Sequence, residues 1–198
     1  MSFATTMVAA LFSVLAFDPV PQESRETVDL VWMSETYCMA PDGNPQYTRA
    51  LLERDGFRPL GPEDFPDLRL PGAEYLRGFS KQVGGKTVRV LTNLNVLNGA
   101  YYFRTCWVSS SPEERLRVGR ELSRFLDLPG FRQDDAFFYG WSFERSGPRR
   151  PMSRREFDLN RWSKALEMDQ RFVIINDYRH MVSIAYLVPT ADQTDPGN

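Results

Sequence analysis

Asn93, Asn95, Tyr102 and Arg104 are the side chains of this sequence whose types and spacing best suit holding a ligand. Asparagine and arginine offer directional hydrogen bonds, and tyrosine adds a flat contact surface. A hairpin brings them together. Asn98-Gly99 favours a two-residue turn. That turn sets Val96 opposite Tyr101, Leu94 opposite Phe103, Thr92 opposite Thr105 and Val90 opposite Trp107. Side-chain alternation then gathers Asn93, Asn95, Tyr102 and Arg104 on the other face, with Ser80, Arg89, Leu91 and Cys106. The chemistry expected of that face is non-covalent binding.

A second candidate is the stretch 145–161. Arg145, Arg149, Arg150, Arg154, Arg155 and Arg161 stand there against Glu156 and Asp158. Such a cluster suits a phosphate, a carboxylate polymer or an anionic membrane surface. It equally suits a solvated loop, because the 24 basic residues are arginine except for Lys81, Lys86 and Lys164. The net charge of −2 supplies no overall field for nucleic acid.

Catalytic patterns are missing from the sequence. There is no P-loop, dinucleotide fingerprint, zincin motif, EF-hand loop or nucleophile elbow. The one histidine, His180, falls in an expected hairpin turn, and one imidazole cannot build a two-histidine metal site. Asp134 and Asp135 are adjacent and would point to opposite sides of a strand. Glu63 and Asp64 sit in a proline-rich loop. A hydrolase would need carboxylates dispersed in the chain and gathered by the fold. No catalytic residue, metal or cofactor is expected.

The N-terminus bears on the compartment. Met7 to Phe17 is an uncharged apolar run that Asp18, Pro19 and Pro21 stop. As a helix it would span about 16 Å, half a bilayer core. Residues 1–16 therefore read as a signal peptide and 17–27 as a tether. No later segment is apolar enough to cross a membrane. In an exported chain Cys38 and Cys106 could pair; otherwise they are two buried thiols.

The elements that must position these residues follow from local signals. A helix is expected over 28–38. Asn44-Pro45 starts another, with Tyr47, Ala50, Leu51 and Leu52 on its apolar side, and Gly56 stops it. Gly84-Gly85 sets Phe79 opposite Val90 and Tyr75 opposite Leu94. With Asn98-Gly99 it makes a three-stranded meander over 73–109. Ser111-Pro112-Glu113-Glu114 opens a helix with Leu116, Gly119, Leu122, Phe125 and Leu126 along one stripe. Residues 136–144 form a strand with Phe137, Tyr139, Trp141 and Phe143 on one side. Segment 152–168 leans towards helix around 159–168. Residues 172–177 and 181–188 form a final hairpin, apolar on both faces and so central.

The pattern of an apolar leader, Cys38, a short helix ending in Gly56-Phe57, the strand cysteine Cys106 and a second helix resembles a group of small uncharacterised exported proteobacterial proteins. The resemblance covers about residues 7–132. It implies a periplasmic domain with one disulfide, and it carries no activity. The expected fold class is α+β, one domain over 28–188. It has a mainly antiparallel sheet of about six strands, two or three helices on one face, and a polar tail at 189–198. The expected function is that of a non-enzymatic periplasmic or secreted binding protein for another protein or an envelope polymer. The alternatives are an envelope hydrolase or an inhibitor or immunity-type protein.

Overall fold

The computed structural model describes residues 28–61, 64, 73–110, 115–133, 135–143, 149–160, 162–178 and 181–191. The expected signal peptide, the tether and the tail beyond residue 191 lie outside these residues. So do Glu63, the 111–114 cap, Asp134, Arg145, Arg161 and His180. In chain order the elements are α1 (Leu30–Ser34), α2 (Pro45–Arg54), β1 (Arg58–Pro59), β2 (Ala73–Val83), β3 (Lys86–Leu97) and β4 (Tyr101–Ser110). Then come α3 (Arg115–Leu126), β5 (Phe131–Gln133), β6 (Ala136–Phe143), β7 (Arg149–Pro151), α4 (Arg154–Asn160), β8 (Gln170–Tyr178) and β9 (Met181–Pro189). A π-helical turn, Glu35–Met39, continues α1.

The class is α+β. All strand pairs are antiparallel, in the order β1-β2-β3-β4-β9-β8-β6-β5, with β7 also on β6. Among the described residues nine strands stand where about six were expected. The six long ones are those foreseen, and β1, β5 and β7 are pieces of two or three residues. The final hairpin is central as expected: β9 lies between β4 and β8, and all of it beyond Met181 is buried.

Helices cover both faces of the sheet, a correction to the one-sided arrangement. On one face, α1, the π turn, α2 and α3 bury Leu30, Val31, Met33, Tyr37, Cys38, Leu52, Val118, Leu122 and Leu126. These pack with Phe79, Val90, Cys106, Val108, Tyr139, Val173, Ile175, Ile184 and Tyr186 of the sheet. On the other face, Phe157 of α4 and Ala165 pack against Phe103, Phe172, Ala185 and Leu187. Burial on both sides explains why the central strands carry almost no polar alternation.

The local signals at α2 act as read. Asn44 Oδ1 accepts from the Gln46 and Tyr47 amides at 3.0 and 3.1 Å. Pro45 takes the first helical position. Gly56 adopts φ +78° after the helix, and the Phe57 amide reaches back to Leu52 C=O at 2.9 Å. Phe57 and Leu52 are both buried, the apolar contact that accompanies this cap. In α3 the inward stripe is Val118, Leu122 and Leu126, while Leu116 and Phe125 are exposed. Helix in the 152–168 segment lies earlier than expected, at Arg154–Asn160. A capping box starts it: the Ser153 amide donates to Glu156 Oε2 at 2.8 Å, and the Glu156 amide donates to Ser153 Oγ at 3.2 Å.

The β3–β4 hairpin corrects the expected register. Ala100 joins Asn98 and Gly99 in the loop, so Leu97 faces Tyr101 and Val96 faces Tyr102. Every downstream pair moves by one: Leu94 meets Arg104, Thr92 meets Cys106 and Val90 meets Val108. A one-residue slip turns β4 over relative to β3. Cys106 thereby faces the helices together with Val90, where it bonds Cys38. The Gly84-Gly85 turn keeps its expected register, Phe79 opposite Val90. Further along, a bulge with Tyr75 at φ +53° places Glu74 rather than Tyr75 opposite Leu94.

One close approach yields a first prediction. A Cβ on Gly130 would lie 2.7 Å from Cε1 of Tyr139. That ring is buried and anchored, its hydroxyl donating to Gly119 C=O at 2.9 Å and lying 2.9 Å from Ser123 Oγ. Gly130→Ala is expected to cost about 1–3 kcal/mol through overpacking. A urea midpoint equal to that of the parent chain would show that the ring yields freely.

Candidate functional site

One end of the sheet collects the start of β4, the end of β9, the start of β8 and the end of β6. Two surfaces meet there. On the α4 face a cleft of about 390 Å³ is lined by Ala100–Phe103 of β4 and its turn, by Trp162, Ser163, Ala165 and Leu166, and by Pro189–Ala191. It opens where β9 finishes: the Thr190 amide still donates to Tyr102 C=O at 2.9 Å, while Tyr101 and the turn before it continue past that point.

Trp162 is the anchored wall of the cleft. Its ring stands edge-on to Phe103, Phe157 and Phe172 at 5.4, 5.1 and 5.0 Å between centroids. Such edge-to-face contacts hold one orientation. Leu166, more than half exposed, forms the outer lip. Among the described residues the lining holds tyrosine and hydroxyl groups and apolar surface, with no carboxylate, thiol or imidazole.

On the opposite face, the one under α1, α2 and α3, the same sheet end carries a transverse row. Arg104 of β4 pairs with Val188 of β9, and Arg171 of β8 pairs with Trp141 of β6. Phe172 pairs with Leu187, so Val188 and Arg171 are next to each other across the β8–β9 ladder. At about 4.8 Å per strand, the row from Arg104 to Trp141 spans about 14 Å. Arg149 lies over the Trp141 ring at 5.2 Å, and Arg171 lies over Phe143 at 5.5 Å. Arginine and aromatic side chains therefore interleave along this edge.

Asp42 closes the row from above. Arg171 Nε and Nη2 donate to its two carboxylate oxygens at 2.8 and 2.9 Å, and the Tyr186 hydroxyl donates at 2.8 Å. Partial burial opposes ionisation of Asp42, but the hydrogen bonds from Arg171 and Tyr186 outweigh it and hold the carboxyl below its ordinary range. Burial, reinforced by the Asp42 charge, pushes the Tyr186 hydroxyl well up. Asp42 adopts φ +49° and Gly43 φ +64°. A side chain on Gly43 would come within 3.0 Å of Val188 Cγ2, so glycine lets this loop lie directly on the row. Arg171 also pairs with Asp169. Arg104, by contrast, keeps a buried Nε with no hydrogen-bond partner.

The four side chains expected to converge do not share a face. The shifted register puts Arg104 and Tyr102 on the face under α1, α2 and α3, and Asn93 and Asn95 on the α4 face. Asn93 and Asn95 are buried, and Asn93 Oδ1 accepts from Trp107 Nε1 at 3.2 Å. Tyr102 lines the cleft, and Arg104 belongs to the row. In the arginine stretch, Arg150 is taken by Glu156 at 2.8 Å and Arg154 by Asp158 at 3.6 Å. Arg155 is exposed on α4, and Arg149 joins the row. Of the carboxylates considered, Asp135 is a surface partner of Arg132, and Asp64 accepts from the Gly61 amide in a turn.

Sequence reading missed Trp162, Asp42 and Arg171. Trp162 lies in the segment whose periodicity is ambiguous. Arg171 and Asp42 stand 129 residues apart, and no local spacing links them. Among the described residues no group of three His, Cys, Asp or Glu could hold a metal ion. No described helix is long and apolar enough to cross a membrane. Compared with known proteins, the chain matches no family, no curated protein and no solved structure.

Proposed function

We propose that this chain is a non-enzymatic periplasmic or secreted binding protein, and that its cleft docks the sugar rings of an envelope polymer. The observation that carries this reading is the aromatic lining, with half-buried Tyr101 on one side and half-buried Trp162 on the other. Ring faces take up apolar sugar faces, and hydroxyls at the rim meet the polar edges of the rings. Ser163, Thr190 and the tyrosines supply those hydroxyls. Among the described residues no acid–base pair lines the cleft, and the reading is one of binding. The Cys38–Cys106 bond is compatible with an oxidising compartment.

The test is a titration with a neutral hexamer of N-acetylglucosamine, followed by calorimetry. Trp162→Ala is expected to weaken binding about tenfold, the equivalent of about 1.4 kcal/mol. Because Trp162 also packs against Phe157 and Phe172, Leu166→Glu at the exposed lip serves as the second variant, with a smaller loss expected. Trp32→Ala is the control, on an exposed tryptophan of α1 that does not line the cleft. Binding that ignores both cleft variants, or no binding at all, would overturn the reading.

A further inference from the structure

Three guanidinium groups bear on the row described above, and they differ in what they already hold. Arg171 is saturated by Asp42 and Asp169. Asp42 accepts from Arg171 and Tyr186 and bears on Arg104 as a nearby charge. Arg104 Nε is a buried donor left open. Trp141 Nε1, at the far end of the row, is a second buried donor without a partner. Arg149 is exposed and is held only against the Trp141 ring. A buried donor without a partner costs stability, and an acceptor arriving from outside would offset that cost.

The acceptor must be anionic and extended. A guanidinium fork matches a carboxylate with two parallel hydrogen bonds. Arg104 and Arg149 stand at opposite ends of a row about 14 Å long, too far apart for one small anion. Charges repeated along a polymer meet both. Phe143, which is exposed, gives a ring face beside the cations. The row and the cleft share one end of the sheet from its two faces, with Arg104 of the row next to Phe103 of the cleft along β4.

We propose that the ligand of this sheet end is a carboxylate-bearing glycan, whose acidic groups pair with Arg104 and Arg149 while its rings occupy the cleft. The proposal rests on the cleft reading above and adds the ligand's charge to it.

The experiment titrates the intact, oxidised chain with a hexamer of galacturonic acid and with the same hexamer as its methyl ester. The acid is expected to bind at least about tenfold more tightly than the ester, with that preference shrinking as ionic strength rises from about 0.05 to about 0.5 M. Arg104→Met and Arg149→Met should each erase most of the preference and leave the ester affinity unchanged. Arg120→Met, an exposed site on α3, controls for net charge. Arg104→Lys retains the charge without the fork and should restore only part of the preference, a readout that simple loss of folding would not produce.

Equal binding of acid and ester, both sensitive to Trp162→Ala, would overturn this proposal and leave the cleft reading standing. An acid preference that depends on Arg104 and ignores Trp162→Ala would support the anion site and sink the cleft reading. Binding to phosphatidylglycerol vesicles in place of the hexamer would overturn the glycan assignment. So would failure of both hexamers to bind.

Discussion

Removing the Cys38–Cys106 bond by a double alanine substitution is expected to lower the unfolding free energy by about 4 kcal/mol. The bond ties the π turn after α1 to the middle of β4, across 68 residues of sequence. A closed loop of that length removes much of the freedom of the unfolded chain, and the chain-entropy estimate at this size is about 4 kcal/mol. Both cysteines are fully buried, so alanine also leaves a small void and the folded state does not gain. Small domains have about 5–15 kcal/mol in total, so this one bond is a large share. Urea unfolding of the oxidised chain and of the double variant measures it. A loss under about 1 kcal/mol would show that the helices and sheet already hold β4 in place. Alkylation with intact-mass readout should show both thiols only after reduction.

Asp42→Ala has the second largest expected effect, a loss of about 2–4 kcal/mol. Arg171 is only 10% exposed and would be left with Asp169 alone, while the Tyr186 hydroxyl would lose its acceptor. Removing one partner of a buried ion pair commonly costs about 3–5 kcal/mol, and the half-exposed Asp42 carboxylate brings the figure down. Alanine at φ +49° adds backbone strain that aspartate and asparagine tolerate better. Asp42→Asn separates the two effects in part: it retains the turn preference and one acceptor oxygen, and loses the charge and the second acceptor. Its cost should be about half that of alanine.

The pH dependence follows from the lowered folded-state pKa of Asp42. The unfolded chain binds this proton more readily than the folded one. The ionised carboxylate therefore stabilises the fold fully above the ordinary carboxylate range. That contribution falls away as pH drops through the range and is gone below the folded pKa. Asp42→Asn should flatten the stability profile below about pH 5 and leave the slope above it unchanged. Parallel profiles for the two chains in acid would count against the Asp42–Arg171–Tyr186 network.

Local chemistry decided much of this protein. Asn44-Pro45 and Gly56 set the ends of α2, because a side-chain cap and a left-handed residue need only their immediate neighbours. Gly84-Gly85 set the β2–β3 register, and apolar residues on both faces marked the β8–β9 hairpin as central. The pairing of Cys38 with Cys106 was open to the sequence as one of two outcomes. Tertiary structure decided the rest. Asn98-Gly99 suited a two-residue turn, yet Ala100 enters the loop and β4 turns over. That orientation lets Cys106 reach Cys38 and places Phe103 and Trp107 on the α4 side, a demand no hairpin feels by itself. The same slip separated Arg104 from Asn93 and buried the asparagines. The site was then assembled from Asp42, Arg104, Arg171 and Trp162, residues that share no local period. Only strand order and the packing of both helix layers bring them to one end of the sheet, because long-range pairing answers to the burial of whole faces rather than to the residues on either side.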